Sequence, residues 1–238
     1  MKAIKNIKII VIALLVILLA ILIVFSFSKF KKGEAGSVPV GDNSVAGEQV
    51  YLAGNKVEIE EMDQLIGNKQ SDIKIFVYED NSNIYSAQLA DTLDRLYSEN
   101  QDKIALVVRP FVAKTNLLSR DAALMIECAS DQGKWSEMRK LLFDKVKSDS
   151  LNLNNFSEYG QEIGLEEGAF NSCLTSQEKY AKIDELAAQA DAYGVIGAPT
   201  IFIGEELIPG ARPYDDYTDA NGEKVDGLKT LLEKRLTK

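Results

Sequence analysis

Histidine is absent from all 238 residues. Its absence removes the commonest acid–base catalyst near neutral pH and the commonest metal ligand. A Ser–His triad, a Cys–His dyad and a histidine-bound zinc are therefore excluded. Cysteine is scarce: Cys128 and Cys173 are the only two, too few to hold zinc without histidine. Neither lies in a Cys-x-x-Cys pair at a helix start. No metal and no cofactor are expected. Acidic residues are missing from residues 1–32, which carry six lysines; with 27 basic against 36 acidic side chains overall, the rest of the chain has a formal charge of −15. So acidic a body is a poor match for nucleic acid or anionic lipid, both of which need a basic surface.

What is present begins with an apolar run. Residues 9–25, "IIVIALLVILLAILIVF", are seventeen consecutive apolar residues. A helix of about twenty residues spans the roughly 30 Å of bilayer hydrocarbon. The apolar part of a cleaved signal peptide is shorter, about 7–15 residues, so the length favours a retained anchor over removal at the small residues Ser26 and Ser28. Lys2, Lys5 and Lys8 before the run balance Lys29, Lys31 and Lys32 after it, and the positive-inside rule leaves orientation open. No cysteine follows closely enough for a lipoprotein anchor. Residues 1–32 are thus expected to be a stub and one transmembrane helix. Residues 33–70 are expected to be a flexible linker, rich in Gly, Ser and Val up to residue 49, with a short strand and a turn within 50–70.

The folded body is expected over residues 71–238. Ile73, Ile75 and Val77 alternate with Lys74, Phe76 and Tyr78, as in a strand with two occupied faces. Leu89, Leu93, Leu96 and Tyr97 fall at helical spacing and predict an amphipathic helix over 83–99. A second strand covers 103–112, with Pro110 near its end. Strand, helix, strand at this spacing implies a parallel pair with a right-handed crossover. A helical block follows at about 117–194: two helices separated near Gly133, two shorter ones, and a long one. The long helix shows Ile183, Leu186, Ala187 and Ala190 on its apolar face, and Gly194 is suited to cap it. "APTIFIGEELIPG" reads as a hairpin turning at Gly204-Glu205 in type II′ geometry. A last helix packs Leu228, Leu231 and Leu232.

In this order the segments "LIGNKQSDIKIFVYED", "AALMIECASDQGKWSEM", "FNSCL" and "GVIGAPTIFIG" resemble the DsbA-like thioredoxin family of disulfide oxidoreductases over roughly residues 65–210. The resemblance implies an α/β thioredoxin-like fold with a helical insertion. In that family the acidic residue matching Asp80 is followed, three residues on, by a Cys-Pro-x-Cys motif opening the first helix. By position its cysteines fall on Asn83 and Ser86, and its proline on Ile84. Disulfide exchange needs a thiolate, its pKa lowered by the helix end, and amide and hydroxyl groups cannot substitute.

Two readings of "EDNSNIYS" stand beside each other. Asn and Ser are favoured N-caps, and Glu79 and Asp80 suit the positive end of the helix dipole, which makes a plain helix start. Alternatively, Asn83, Tyr85 and Ser86 hydrogen-bond an anion or peptide over the helix end. Pro199 matches a proline that is cis in the family and exposes the backbone of the preceding residue, here Ala198, to an extended peptide. The resemblance therefore implies a cis bond before Pro199 and a peptide site at Ala198 and Pro199. Strand addition of that kind needs main-chain groups only. Some DsbA-like proteins also hold cysteines in the two helical segments containing Cys128 and Cys173 as a non-catalytic disulfide, which the resemblance implies here. The alternatives are two buried thiols and a redox-active pair. A disulfide needs an oxidising compartment, which places the N-terminus in the cytoplasm and the body outside, on a bacterial cell membrane crossed once.

Three functions are consistent with this reading. One is a membrane-tethered, redox-inactive module that holds an extended peptide or an envelope protein. A second is a thiol–disulfide oxidoreductase acting through Cys128 and Cys173 or through a partner's thiols. The third is an anchored scaffold.

Overall fold

The computed structural model describes residues 51–52, 57–60, 63–113 and 116–237. In chain order its main elements are β1 (Tyr51–Leu52), β2 (Gln64–Gly67), β3 (Ile73–Glu79), α1 (Ile84–Glu99), β4 (Ile104–Pro110), α2 (Leu117–Ser130), α3 (Trp135–Lys147), α4 (Phe156–Glu162), α5 (Glu167–Leu174), α6 (Gln177–Ala192), β5 (Thr200–Ile203), β6 (Glu206–Pro209), β7 (Tyr217–Thr218), β8 (Lys224–Val225) and α7 (Leu228–Leu236). Among the described residues no helix is long and apolar enough to cross a membrane. The apolar run at 9–25, the expected transmembrane helix, lies outside them, as do residues 33–50 of the linker expected over 33–70.

Among the described residues six strands form one sheet in the order β1-β6-β5-β3-β4-β2. β3 and β4 are parallel, as the α1 crossover requires, and the other pairings are antiparallel. Both faces of β3 are used. Ile75 and Val77 pack with Leu89, Leu93 and Leu96 of α1 and with Leu228, Leu231 and Leu232 of α7. Phe76 and Tyr78 face the other way, onto Phe202, Ala190 and Val195. Cutting a fully buried leucine such as Leu89 back to alanine costs about 2–5 kcal/mol. The helices between β4 and β5 build a core of their own around Leu124, Met125, Leu142 and Phe170. There Gly160 lies so close to the Phe170 ring that a Cβ would sit 2.7 Å from it.

The sheet begins earlier than residue 71. β2 pairs with β4, and Val57 is buried on Phe76 and Tyr78. The cause is Arg109 on β4, which is 2% exposed. Its Nε and Nη2 donate to the two carboxylate oxygens of Asp63 at 2.6 and 2.7 Å, Nη2 also donates to the Glu58 carbonyl at 2.6 Å, and Nη1 to the Tyr78 hydroxyl at 2.9 Å. A guanidinium so deep needs a counter-charge, and the segment before β2 supplies it. Burial pulls the Arg109 pKa down, but Asp63 and Tyr78 more than offset this.

At the other end of the chain, Gly204 turns the β5–β6 hairpin at φ +68. Gly194, at φ +76, follows α6, where its N–H and that of Val195 donate to the carbonyls of Asp191 and Ala190. A small β7–β8 ribbon precedes α7. Periodicity does not show strands of two residues, and Asn221-Gly222 at their turn was the one available sign.

Candidate functional site

β3 delivers the chain to the tip of α1 through Asp80, Asn81, Ser82 and Asn83. The Asp80 carboxylate accepts from the Ser82 N–H at 2.8 Å and its hydroxyl at 2.6 Å. This closes the turn, and the Asn83 N–H donates to the Asp80 carbonyl at 3.0 Å. Asn83 then acts as N-cap. Its side-chain oxygen accepts from the N–H of Tyr85 at 2.8 Å and of Ser86 at 3.3 Å, satisfying donors that a helix start leaves open. Ser86 is 1% exposed, and its hydroxyl accepts from the Asp80 N–H at 3.1 Å. Asn83 and Ser86 are therefore both engaged in holding the turn.

Behind the turn lies a pair of charges that the sequence did not single out. Arg139 of α3 donates to both oxygens of Glu79, at 2.7 and 2.8 Å, and the Asn81 amide donates to one of them at 3.2 Å. Both partners are buried. Burial pulls the Arg139 pKa down, but the Glu79 carboxylate outweighs it and the guanidinium stays charged. A two-pronged pair of this kind fixes geometry as well as charge.

Across from the tip, β5 runs antiparallel to β3 with Thr200 opposite Tyr78, which sets the Ala198–Pro199 bond beside the end of β3. That bond is cis. The Pro199 carbonyl accepts from Gly210 at 2.8 Å, and the Thr200 hydroxyl donates to the Gly197 carbonyl at 2.7 Å. Among the described residues no hydrogen bond engages the backbone of Ala198. A groove of about 490 Å³ opens here, lined by Asp80, Asn83, Phe111, Val112, Ile196 and Ala198 among others. Ile196 is 97% exposed, an unusual state for a large apolar side chain, and Tyr85 is 59% exposed. The structure thus brings Asn83 and Ala198 to one groove. Tyr85, Ser86 and Pro199 do not line it: Ser86 and Pro199 are buried behind it, and Tyr85 stands outside.

Cys128 of α2 and Cys173 of α5 are bonded to each other, with Cα atoms 5.7 Å apart. Cys128 belongs to the helical core, with Cys173 packed against it. Neither lines the groove or bonds a residue of the turn.

A family model described as Thioredoxin matches residues 60–220. No curated protein matches the sequence. Among solved structures the chain is similar to a thioredoxin-like oxidoreductase from Silicibacter pomeroyi DSS-3, with 19% identity, a TM-score of 0.58, and 75% of this chain and 92% of that one covered. It is also similar to the thiol-disulfide exchange protein alpha-DsbA2 from Wolbachia pipientis (20%, 0.56, 75% and 87%). A periplasmic thioredoxin-like protein from Salmonella enterica serovar Typhimurium gives 21% identity and a TM-score of 0.57, over 76% of this chain and all of that one.

Proposed function

This chain belongs to the thioredoxin family and has the fold of its DsbA-like members, and we infer that here the fold serves binding rather than redox exchange. The observation that carries this is the tip of α1. Exchange starts from a thiolate, and the side chains there end in amide and hydroxyl groups already engaged in the turn. The chain's two sulfur atoms from cysteine are joined elsewhere. What the tip retains is the groove, an exposed Ile196 and a free backbone at Ala198. An extended peptide or envelope protein would pair with that backbone by strand addition and place an apolar side chain on Ile196.

The reading includes a membrane anchor at residues 9–25, with the body outside the cytoplasm. The length of the run supports the anchor, and the disulfide supports an oxidising compartment. The direct test is reduction of insulin by dithiothreitol in the presence of the purified chain. No acceleration over the uncatalysed rate is expected. Turnover that disappears in Cys128→Ala would overturn the reading in favour of an oxidoreductase using Cys128 and Cys173.

A further inference from the structure

The groove beside the tip of α1 carries charge of one sign. Among the described residues that line it, Asp80 and Asp191 are charged, and there is no lysine or arginine. Asp191 is already engaged by another group. Glu79, next to Asp80 in the chain, is neutralised by Arg139. Asp80 has no such partner among the described residues, although it is only 4% exposed. Its Oδ1 accepts from the Ser82 N–H at 2.8 Å and hydroxyl at 2.6 Å, whereas Oδ2 bonds no described group. The described polar atoms that are sealed without a partner are the Ser71 hydroxyl and Arg120 Nε. Oδ2 therefore keeps its contact with water, and it does so in the groove that Asp80 lines.

A segment laid over the groove at Ala198 changes that. It excludes water from Oδ2, and sealing a carboxylate without a counter-charge is strongly unfavourable. The N-terminus of α1 offers only about half a positive charge. The N–H groups of Tyr85 and Ser86 in its first turn are already taken by the Asn83 side chain. The missing partner must come from the occupant. The way in is apolar, since Phe111 and the exposed Ile196 line the same groove. Lysine and arginine suit such a path, because their stems lie on apolar surface while the charged head reaches beyond it. An uncharged side chain there leaves Oδ2 covered and unpaired.

Resting on the binding function inferred above for this groove, we propose that the segment held there is selected for a lysine or arginine, and that Asp80 is the residue that reads it. Oδ2 takes the cationic head, Phe111 and Ile196 take the stem, and the backbone of Ala198 pairs with the main chain. Selection works by penalty as much as by attraction: a segment without the cation pays for the covered carboxylate.

The test is isothermal titration calorimetry of the full chain in detergent micelles with N-acetylated Thr-Val-Lys-Val-Thr and versions carrying arginine, norleucine or glutamate at the centre. Acetylation removes the α-amino group as a rival cation. The lysine and arginine peptides should bind at least about tenfold more tightly than the norleucine peptide, and the glutamate peptide should not bind. Asp80→Asn keeps an oxygen for the Ser82 bonds and removes the charge. It should bring the lysine-to-norleucine ratio close to one, with norleucine binding retained. Ile196→Ser should weaken all the binding peptides and leave the ratio in place. A ratio near one in the unaltered chain, or a ratio that survives in Asp80→Asn, overturns the role of Asp80 and leaves the binding function standing. Loss of norleucine binding in Asp80→Asn makes Asp80 a support of the turn and overturns its role as reader. Failure of all four peptides to bind, or affinities indifferent to Ile196→Ser, overturns the binding function at this groove as well.

Discussion

At the tip of α1 one side-chain oxygen serves two backbone N–H groups, and Asn83→Ala removes both bonds. A loss of about 0.5–2 kcal/mol is expected from urea unfolding, with most of it recovered in Asn83→Asp. The same position lends itself to a gain of chemistry. Asn83→Cys combined with Ser86→Cys puts a thiol pair at a helix N-terminus, where thiol pKa values fall below the free value of about 8.5. The double variant should acquire alkylation that persists at acidic pH and measurable insulin reduction, and each single variant should acquire no turnover. Deeper in, Arg139→Met strands Glu79 as a lone buried charge. Breaking a buried pair in this way costs about 3–5 kcal/mol. Adding Glu79→Leu should restore part of that loss in the same unfolding assay, because no uncompensated charge then remains.

Several elements are tied at their ends by carboxylates. Glu166 caps α5 by accepting from the N–H groups of Ala169 and Gly168, and these bonds hold its pKa below the ordinary range. Asp216 accepts from the Gly227 N–H ahead of α7 and is lowered too, with Thr230 adding to the effect. A lowered carboxylate binds fewer protons in the folded state than in the unfolded one. Its stabilisation is complete above the unfolded pKa and is lost as pH falls through the folded one. The thermal midpoint should therefore be flat from pH 7 to about 5 and decline below about 4.5. Glu166→Gln should lower the plateau and flatten that acid limb. The link between α2 and α5 is covalent and closes a loop of 45 residues. Its removal in Cys128→Ala/Cys173→Ala should cost about 4 kcal/mol on the chain-entropy model. The order of these elements was legible in the sequence because it is local: the period-2 pattern at Ile73–Glu79, the helical spacing from Leu89 to Leu96, and Gly194 and Gly204 at turns. The ion pairs were not. Asp63 and Arg109 are 46 positions apart, and Glu79 and Arg139 are 60 apart. A charged residue reads as surface until the fold supplies its partner. At the tip, the capping role of Asn83 was legible, but the groove beside it depends on residues 111–113 and 195–198 arriving from elsewhere.

For the whole molecule, both cysteines lie in one bond. A thiol titration of the native protein should give no reactive sulfhydryl, and two should appear after unfolding and reduction. Reactive thiol in the untreated native protein would remove the second support for redox inactivity, the locked state of both cysteines.

Among the described residues β1 ends the sheet on one side and β2 on the other, and between them Val57 is buried on the Phe76 cluster and Asp63 is buckled to Arg109. Tension arriving from the N-terminus would meet hydrogen bonds lying across the line of pull along β1, then the buckle, before reaching the central strands. Undoing that buckle would leave a guanidinium sealed in the sheet with its main counter-charge gone, even though every strand remained in place.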